Sequence, residues 1–213
     1  ICLPESGTMA LKPTHFTHTE AAVIPFGGTT AWHFLKKAAI KSGQKVLIVG
    51  ASGAVGTAAI QLAKVLEARV TAVCSAGNID LVKSLGADQA IDYTQEDFTQ
   101  NGEIYDVIFD TVKTISISRS LKSLNEQGTL ILSAAGMSEM FQGLWISMTS
   151  TRKVLTGVTS ITVENINFLK DMMKTGQLKP VIDKTYPLEQ MAEAHAYVEK
   201  GHKKGNLAIT VNP

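Results

Sequence analysis

Three glycines, Gly50, Gly53 and Gly56, stand at three-residue spacing at the end of an apolar run, 45–50, with Ala51, Ser52 and Ala54 between them. The run is β-branched and of strand length, too short for a helix. Beyond it Val55, Ala58, Ala59, Leu62 and Leu66 recur on one helical face. A tight turn from strand into helix leaves backbone N–H groups and the positive end of the helix dipole aimed at one point, a geometry that binds phosphate. Glycines there let the backbone approach a pyrophosphate and let helix pack close on strand. The turn follows a strand, opens a helix and begins a series of strand–helix units, the context in which such glycines hold a dinucleotide. Ser52, Gly53, Ala54, Val55 and Gly56 are the residues expected at the phosphates.

The elements that must position this turn follow from pattern. Residues 19–22 suggest a short helix that stops before Pro25, and 29–39 a longer one. Further strands are expected at 69–75, 88–92, 105–110, 129–133 and 153–159. Helices are expected at 55–66, at 79–85 behind Asn78 as N-cap and before Gly86 as terminator, at 94–97, 114–124 and 161–175. Residues 136–150, with methionines, glycines and aromatics, give no clear period. Strands alternating with helices imply a parallel sheet covered on both faces. The fold class expected is α/β, a doubly wound six-stranded parallel sheet of Rossmann type. Residues 180–213 break the alternation with an extended piece, a helix at 188–200 and a strand at 206–211.

With 213 residues, 45% hydrophobic and 18% charged, the chain can bury a full core. Its formal net charge of +1 gives no footprint for a nucleic acid or an anionic membrane. No apolar run reaches the length of a membrane span, and the first residues, ICLPESG, lack the pattern of a signal peptide. Cys74 closes a strand and reads as a buried thiol, and with Cys2 it makes no metal spacing. A cytoplasmic location is expected.

The segments AAVIPFGGTTAWHFL (21–35), VLIVGASGAVGTAAIQLAK (46–64), SLGADQAIDY (84–93), YDVIFDTV (105–112) and 178–211 together resemble the medium-chain dehydrogenase/reductase superfamily, above all its zinc-independent quinone oxidoreductase-like branch. The resemblance implies that 1–20 is a remnant of a β-rich N-terminal substrate domain, 21–178 a cofactor domain, and 179–213 a segment returning to the substrate domain. It implies an NAD(P)H-dependent oxidoreductase acting on a small-molecule quinone or enone, and leaves open whether the fragment itself is active. A homodimer through the edge strand 153–159 is also implied. A zinc-type alcohol dehydrogenase relative and a non-catalytic nucleotide-binding or interaction protein of the same fold are the alternatives.

Cofactor choice turns on the end of the second strand, where a carboxylate would hold the adenosine ribose hydroxyls. Residues 73–78 carry none, and its absence permits the 2′-phosphate of NADPH; NADH is the lesser expectation. Ser75 and Asn78 can donate hydrogen bonds there, although no cation occurs between Val70 and Val82. The resemblance adds Tyr93, Lys203 or Lys204, and Asn206 near the same cofactor, and Thr30 toward the nicotinamide. Asp110, Thr111 and Val112, with Ala134, Ala135 and Gly136, end the fourth and fifth strands and are expected to line the groove. Asp110 and Thr30 have structural readings as well, a helix cap and a helix-start hydroxyl. Phe26 falls where zinc-dependent relatives place a cysteine ligand, and a phenyl ring cannot ligate zinc. His15 and His18 read as surface residues and His195 as a packed one. No Tyr-x-x-x-Lys pair exists, which excludes short-chain dehydrogenase chemistry, and no catalytic acid can be named.

Overall fold

The computed structural model describes residue 4 and residues 7–211. Six parallel strands form one sheet: β1 (Lys45–Val49), β2 (Arg69–Cys74), β3 (Gln89–Asp92), β4 (Tyr105–Asp110), β5 (Leu124–Leu132) and β6 (Lys153–Leu155), in the order β3-β2-β1-β4-β5-β6. This is the doubly wound Rossmann order, with β1 at the centre. Val46, Leu47 and Ile48 are fully buried because both faces of β1 are covered. Helices α2 (Ile24–Ala38), α3 (Ala54–Val65), α4 (Ile79–Ser84) and α7 (Val163–Lys174) contribute to the core on one face, with Phe34, Leu35, Ile60, Leu62 and Leu169 inside. Leu47, Ile108, Leu130, Phe98 and Ile117 of α5 (Ile117–Ser120) belong to the other core.

Several expectations are corrected. The short helix expected at 19–22 is α1 (His18–Ala22), which starts one residue earlier because Thr17 caps it through a reciprocal pair with Glu20. That helix stops before Pro25 as expected, but α2 begins at Ile24 rather than at residue 29, because the first turn of a helix needs no N–H from proline and so admits Pro25. The acidic helix expected at 94–97 is a turn: Asp92 Oδ1 accepts from the Thr94 N–H and hydroxyl, so the side chain replaces a helical carbonyl. The helix at 114–124 shrinks to α5 and one 3-10 turn, Leu121–Ser123. β5 starts earlier than Gly128, since Leu124 pairs with Tyr105 before a bulge, and Thr129 resumes pairing with Val107. Gly86 ends α4 as expected, with φ of 105° and N–H groups of Gly86 and Ala87 returned to Lys83 and Val82.

Residues 137–149 form a helix, α6 (Met137–Thr149), whose Gly143 packs on Val154 of β6. Its Met137, Phe141, Leu144, Trp145 and Met148 side chains are exposed. Strand β6 is three residues long rather than the seven expected at 153–159, and the Ser147 hydroxyl accepts the Val154 N–H at 2.9 Å. That N–H is therefore engaged within the chain. The C-terminal segment is a separate parallel pair, β7 (Ile182–Pro187) and β8 (Asn206–Thr210), joined through α8 (Met191–Glu199). His195 on α8 is exposed, with Leu188, Met191 and Val198 partly exposed around it, so the packed-histidine reading fails; Ala194 is the buried position. His15 and His18 are exposed as expected.

One contact fixes where α3 begins. A Cβ on Gly27 of α2 would lie 2.3 Å from the Ala54 carbonyl oxygen, so α2 rests directly on the first turn of α3. Gly27→Ala is expected to destabilise the chain by about 1–3 kcal/mol through this overpacking, read from urea unfolding. An unchanged midpoint would show that the contact is not close.

Candidate functional site

At the carboxyl end of the sheet lies a groove of about 700 Å³. Gly50, Ser52 and Gly53 follow β1, Ser75 and Asn78 follow β2, and Tyr93 to Phe98 follow β3. Val112, Thr114, Ile115 and Arg119 follow β4, and Gly201, His202 and Lys203 close it from the C-terminal segment.

The three glycines of the turn have different work. Gly50 holds φ of 74°, and a Cβ there would meet Val112 at 2.5 Å. A Cβ on Gly56 would lie 2.3 Å from the Gly50 carbonyl oxygen, so this glycine permits α3 to pack on the strand. Gly53 is different, since its Cβ would meet only the Gly50 oxygen, at an ordinary 3.4 Å. Gly53 is also the N-cap of α3, and no side chain caps that end. The N–H groups of Ala54, Val55 and Gly56 precede the first helical bond, from Thr57 N–H to Gly53 O. An uncapped helix end beside a groove fits a pyrophosphate.

Asn78 adds a second sign of fit. Its side chain caps no helix N–H; its Nδ2 donates instead to Ser52 Oγ at 3.2 Å and Ser75 Oγ at 3.0 Å. Its Oδ1 is buried without a partner. Both serine hydroxyls act as acceptors toward Asn78, which leaves their protons free to donate to a ligand, while Asn78 Oδ1 can accept from a ribose hydroxyl.

The C-terminal segment completes the groove. Gly205 N–H donates to Ser52 O at 2.7 Å and makes a parallel bridge with Gly53. Lys204 Nζ donates to Gly77 O at 3.2 Å, and its N–H to Asp183 Oδ2 at 3.0 Å. A cation thus reaches the loop after β2, where the local sequence has none. Lys203 Nζ donates to Gly205 O at 2.7 Å; burial lowers its pKa while Asp183 opposes the shift.

Of the sequence-predicted residues, Ser52, Gly53, Ser75, Asn78, Tyr93 and Val112 line this groove together. Ala54, Val55 and Gly56 supply the helix end; Ala54 also borders a 380 Å³ cavity with Phe26, Lys203 and Asn206. Asn206 is tied to the Val181 carbonyl through both N–H and Nδ2, so its amide pins the start of β8 to the residue before β7. Thr30 is partly buried in the interior of α2, outside the groove lining, and is not a helix-start residue. Asp110 is buried, and its Oδ1 accepts the Val112 and Lys113 N–H groups. Burial pushes its carboxyl pKa up against those bonds, and its carbonyl accepts Ser133 N–H. Asp110 therefore shapes the loop from behind the groove. Thr111 Oγ1 donates to Val49 O at 2.8 Å, which ties the same loop to β1.

Ala134 and Ala135 line a separate 280 Å³ cavity with Asp110, Lys113 and Glu139, and Gly136 N–H donates to Glu139 Oε2 at 2.9 Å. Glu139 also pairs with Lys113 at 3.1 Å. Cys74 is buried and unpaired, its thiol pushed up to about 11 by burial and by Asp92; Cys2 lies outside the described residues. The sequence reading missed His202, Arg119 and the Glu96–Phe98 wall, because each reaches the groove only through the fold. No helix among the described residues is long and apolar enough to cross a membrane.

The strand order and the glycine turn with its uncapped helix define a protein of the dinucleotide-binding Rossmann class. Residues 85–209 match the family model described as zinc-binding dehydrogenase. The chain belongs to this family, within the medium-chain dehydrogenase/reductase superfamily, and to its quinone oxidoreductase-like branch. It is 33% identical over 209 residues to a 2-methylene-furan-3-one reductase of Solanum lycopersicum, covering 96% of this chain and 50% of the relative. It is 34% identical to a chloroplast envelope quinone oxidoreductase homolog of Arabidopsis thaliana, over 93% of this chain and 64% of that one. The quinone oxidoreductase of Coxiella burnetii superposes with a TM-score of 0.87 at 28% identity, over 95% of this chain and 64% of that structure. The chain thus spans from half to under two-thirds of these relatives.

Gly205 holds φ of 59°, and a Cβ there would lie 2.4 Å from the Val181 carbonyl oxygen. Gly205→Val is expected to release the segment from the glycine turn at a cost of about 1–3 kcal/mol. Hydrogen exchange should then show the residue 205 amide losing protection while β1 amides keep theirs; unchanged protection at residue 205 would contradict the clasp.

Proposed function

We propose that this chain is the cofactor-binding part of an NADPH-dependent reductase that delivers hydride to a quinone or an α,β-unsaturated carbonyl without zinc. The division read from the sequence goes with this: 21–178 as the cofactor domain, and 1–20 and 179–213 as parts of a substrate-binding unit. The observation that carries the cofactor choice is Lys204 Nζ on Gly77 O. It brings a positive charge to a loop that has no carboxylate, beside two serine hydroxyls free to donate. A 2′-phosphate suits that set, whereas an acidic residue would repel it.

In this reading the reduced nicotinamide supplies the hydride when bound. The N–H groups of Ala54, Val55 and Gly56 hold the pyrophosphate, and Asn78 sets the two serines. Lys203 and Lys204 supply charge to the adenosine end. The quinone and furanone-reductase relatives support the substrate class. Phe26, 71% exposed, offers a ring where the zinc-dependent branch uses a thiolate, which supports metal-free chemistry. A buried free Cys74 suits a reducing compartment, cytoplasmic or organellar. A homodimer along 153–159 remains part of the proposal, with the short β6 and the engaged Val154 N–H leaving 156–159 as the contact.

Titration of NADPH and NADH, followed by nicotinamide fluorescence, tests the reading. NADPH is expected to bind about tenfold or more tightly than NADH, and Lys204→Ala to erase most of that preference while sparing NADH. A folded sample that binds neither nucleotide would overturn the proposal.

A further inference from the structure

We infer that Arg119, anchored by Asp97, is the residue that grips the adenine ring at the far end of the groove. The inference rests on the groove being a dinucleotide site. Two walls define that end: the turn after β3, with Tyr93, Asp97 and Phe98, and the loop after β4, which leaves the glycine turn at Val112 and runs on to Ile115 and Arg119. Arg119 Nη2 donates to Asp97 Oδ2 and joins the two walls. Among the described residues it is the one ion pair with both partners lining the groove.

The two partners have different capacity left for a ligand. Asp97 Oδ1 accepts from Thr99 N–H at 3.0 Å and Thr99 Oγ1 at 2.8 Å, and Oδ2 accepts from Gln100 Nε2 at 2.9 Å as well as from Arg119. Four donors fill a carboxylate, so Asp97 is an anchor and not a ligand contact. Burial acts to raise its pKa, but these bonds and the Arg119 charge bring it below the usual value and keep it ionised. Arg119 keeps its planar face and most of its five N–H donors, with its side chain half-exposed.

Beside it the lining is apolar or aromatic: Val73, Phe98, Val112, Ile115 and the Tyr93 ring. A flat, uncharged ring with nitrogen acceptors matches a guanidinium above such a surface, through stacking on its face and donation to its edge. A phosphate does not need that surface. The pyrophosphate has the helix end, and the 2′-phosphate has the lysines of the C-terminal segment. Arg119 therefore reads the base, and its pairing with Asp97 sets the width of the slot.

The test uses the full chain and two fragments of the cofactor, 2′,5′-ADP and inorganic pyrophosphate, by calorimetry. Arg119→Ala is expected to weaken 2′,5′-ADP about tenfold and to leave pyrophosphate within twofold. Arg119→Lys, which keeps a cation without the planar face, should lose most of the same affinity. Asp97→Asn should fall between wild type and Arg119→Ala. The half-exposed pair contributes little to stability, so the Arg119→Ala melting temperature should stay near wild type. Unchanged 2′,5′-ADP affinity, or an equal loss for pyrophosphate, would overturn the role assigned to Arg119. A wild-type chain that binds neither fragment nor NADPH would instead overturn the dinucleotide reading itself.

Discussion

A helix end left without a cap is the constraint on which this structure depends. Gly53 has no side chain to satisfy the first N–H groups of α3, and nothing else among the described residues caps them. Free N–H groups at a helix end cost stability unless water or a ligand meets them. The chain keeps that end open while fixing its position from three sides. Gly56 lets α3 sit on the strand end, Gly27 lets α2 rest against Ala54, and Gly205 bridges to Gly53. The contacts of Gly56 and Gly27 each exclude a side chain, and none of the three covers the N–H groups of the first turn.

The same economy holds along the loops after β4 and β5. Asp110 and Thr111 carry polar side chains at the end of a central strand, yet both point their bonds into the protein. Asp110 organises Val112 and Lys113, and Thr111 reaches back to β1. Their role is to present Val112 and Ile115 as a firm apolar wall. The polar groups that remain available are those on the other side, at Ser52, Ser75 and Asn78, with the lysines of the C-terminal segment beside them.

What was legible in the sequence follows from how far apart the cooperating residues lie. The strand at 105–110 is read from six adjacent residues, and the glycine turn from seven, so local pattern suffices. α1 ends before Pro25 as its pattern indicates, but the start of α2 at Ile24 is obscured, because a proline that follows one helix can equally stand in the first turn of the next. The turn at 92–95 turned on a single side chain, Asp92, competing for a backbone N–H group. Residues 137–149 show no clear period, and the helix is explained by contacts outside that pattern, Gly143 on Val154 and Glu139 on the Gly136 N–H. The cation at Gly77 is the clearest limit: Lys204 lies 127 residues away, and only the fold brings the two together.

The central claim is that the open end of α3 is the phosphate cradle. It is tested most directly by following backbone amide resonances of the chain during titration with NADPH. The account predicts that Gly53, Ala54, Val55 and Gly56 shift most, with Ser75 and Asn78 next, and that β6 and α7 stay unmoved. Saturable NADPH binding that leaves the amides of residues 53–56 unshifted would contradict it.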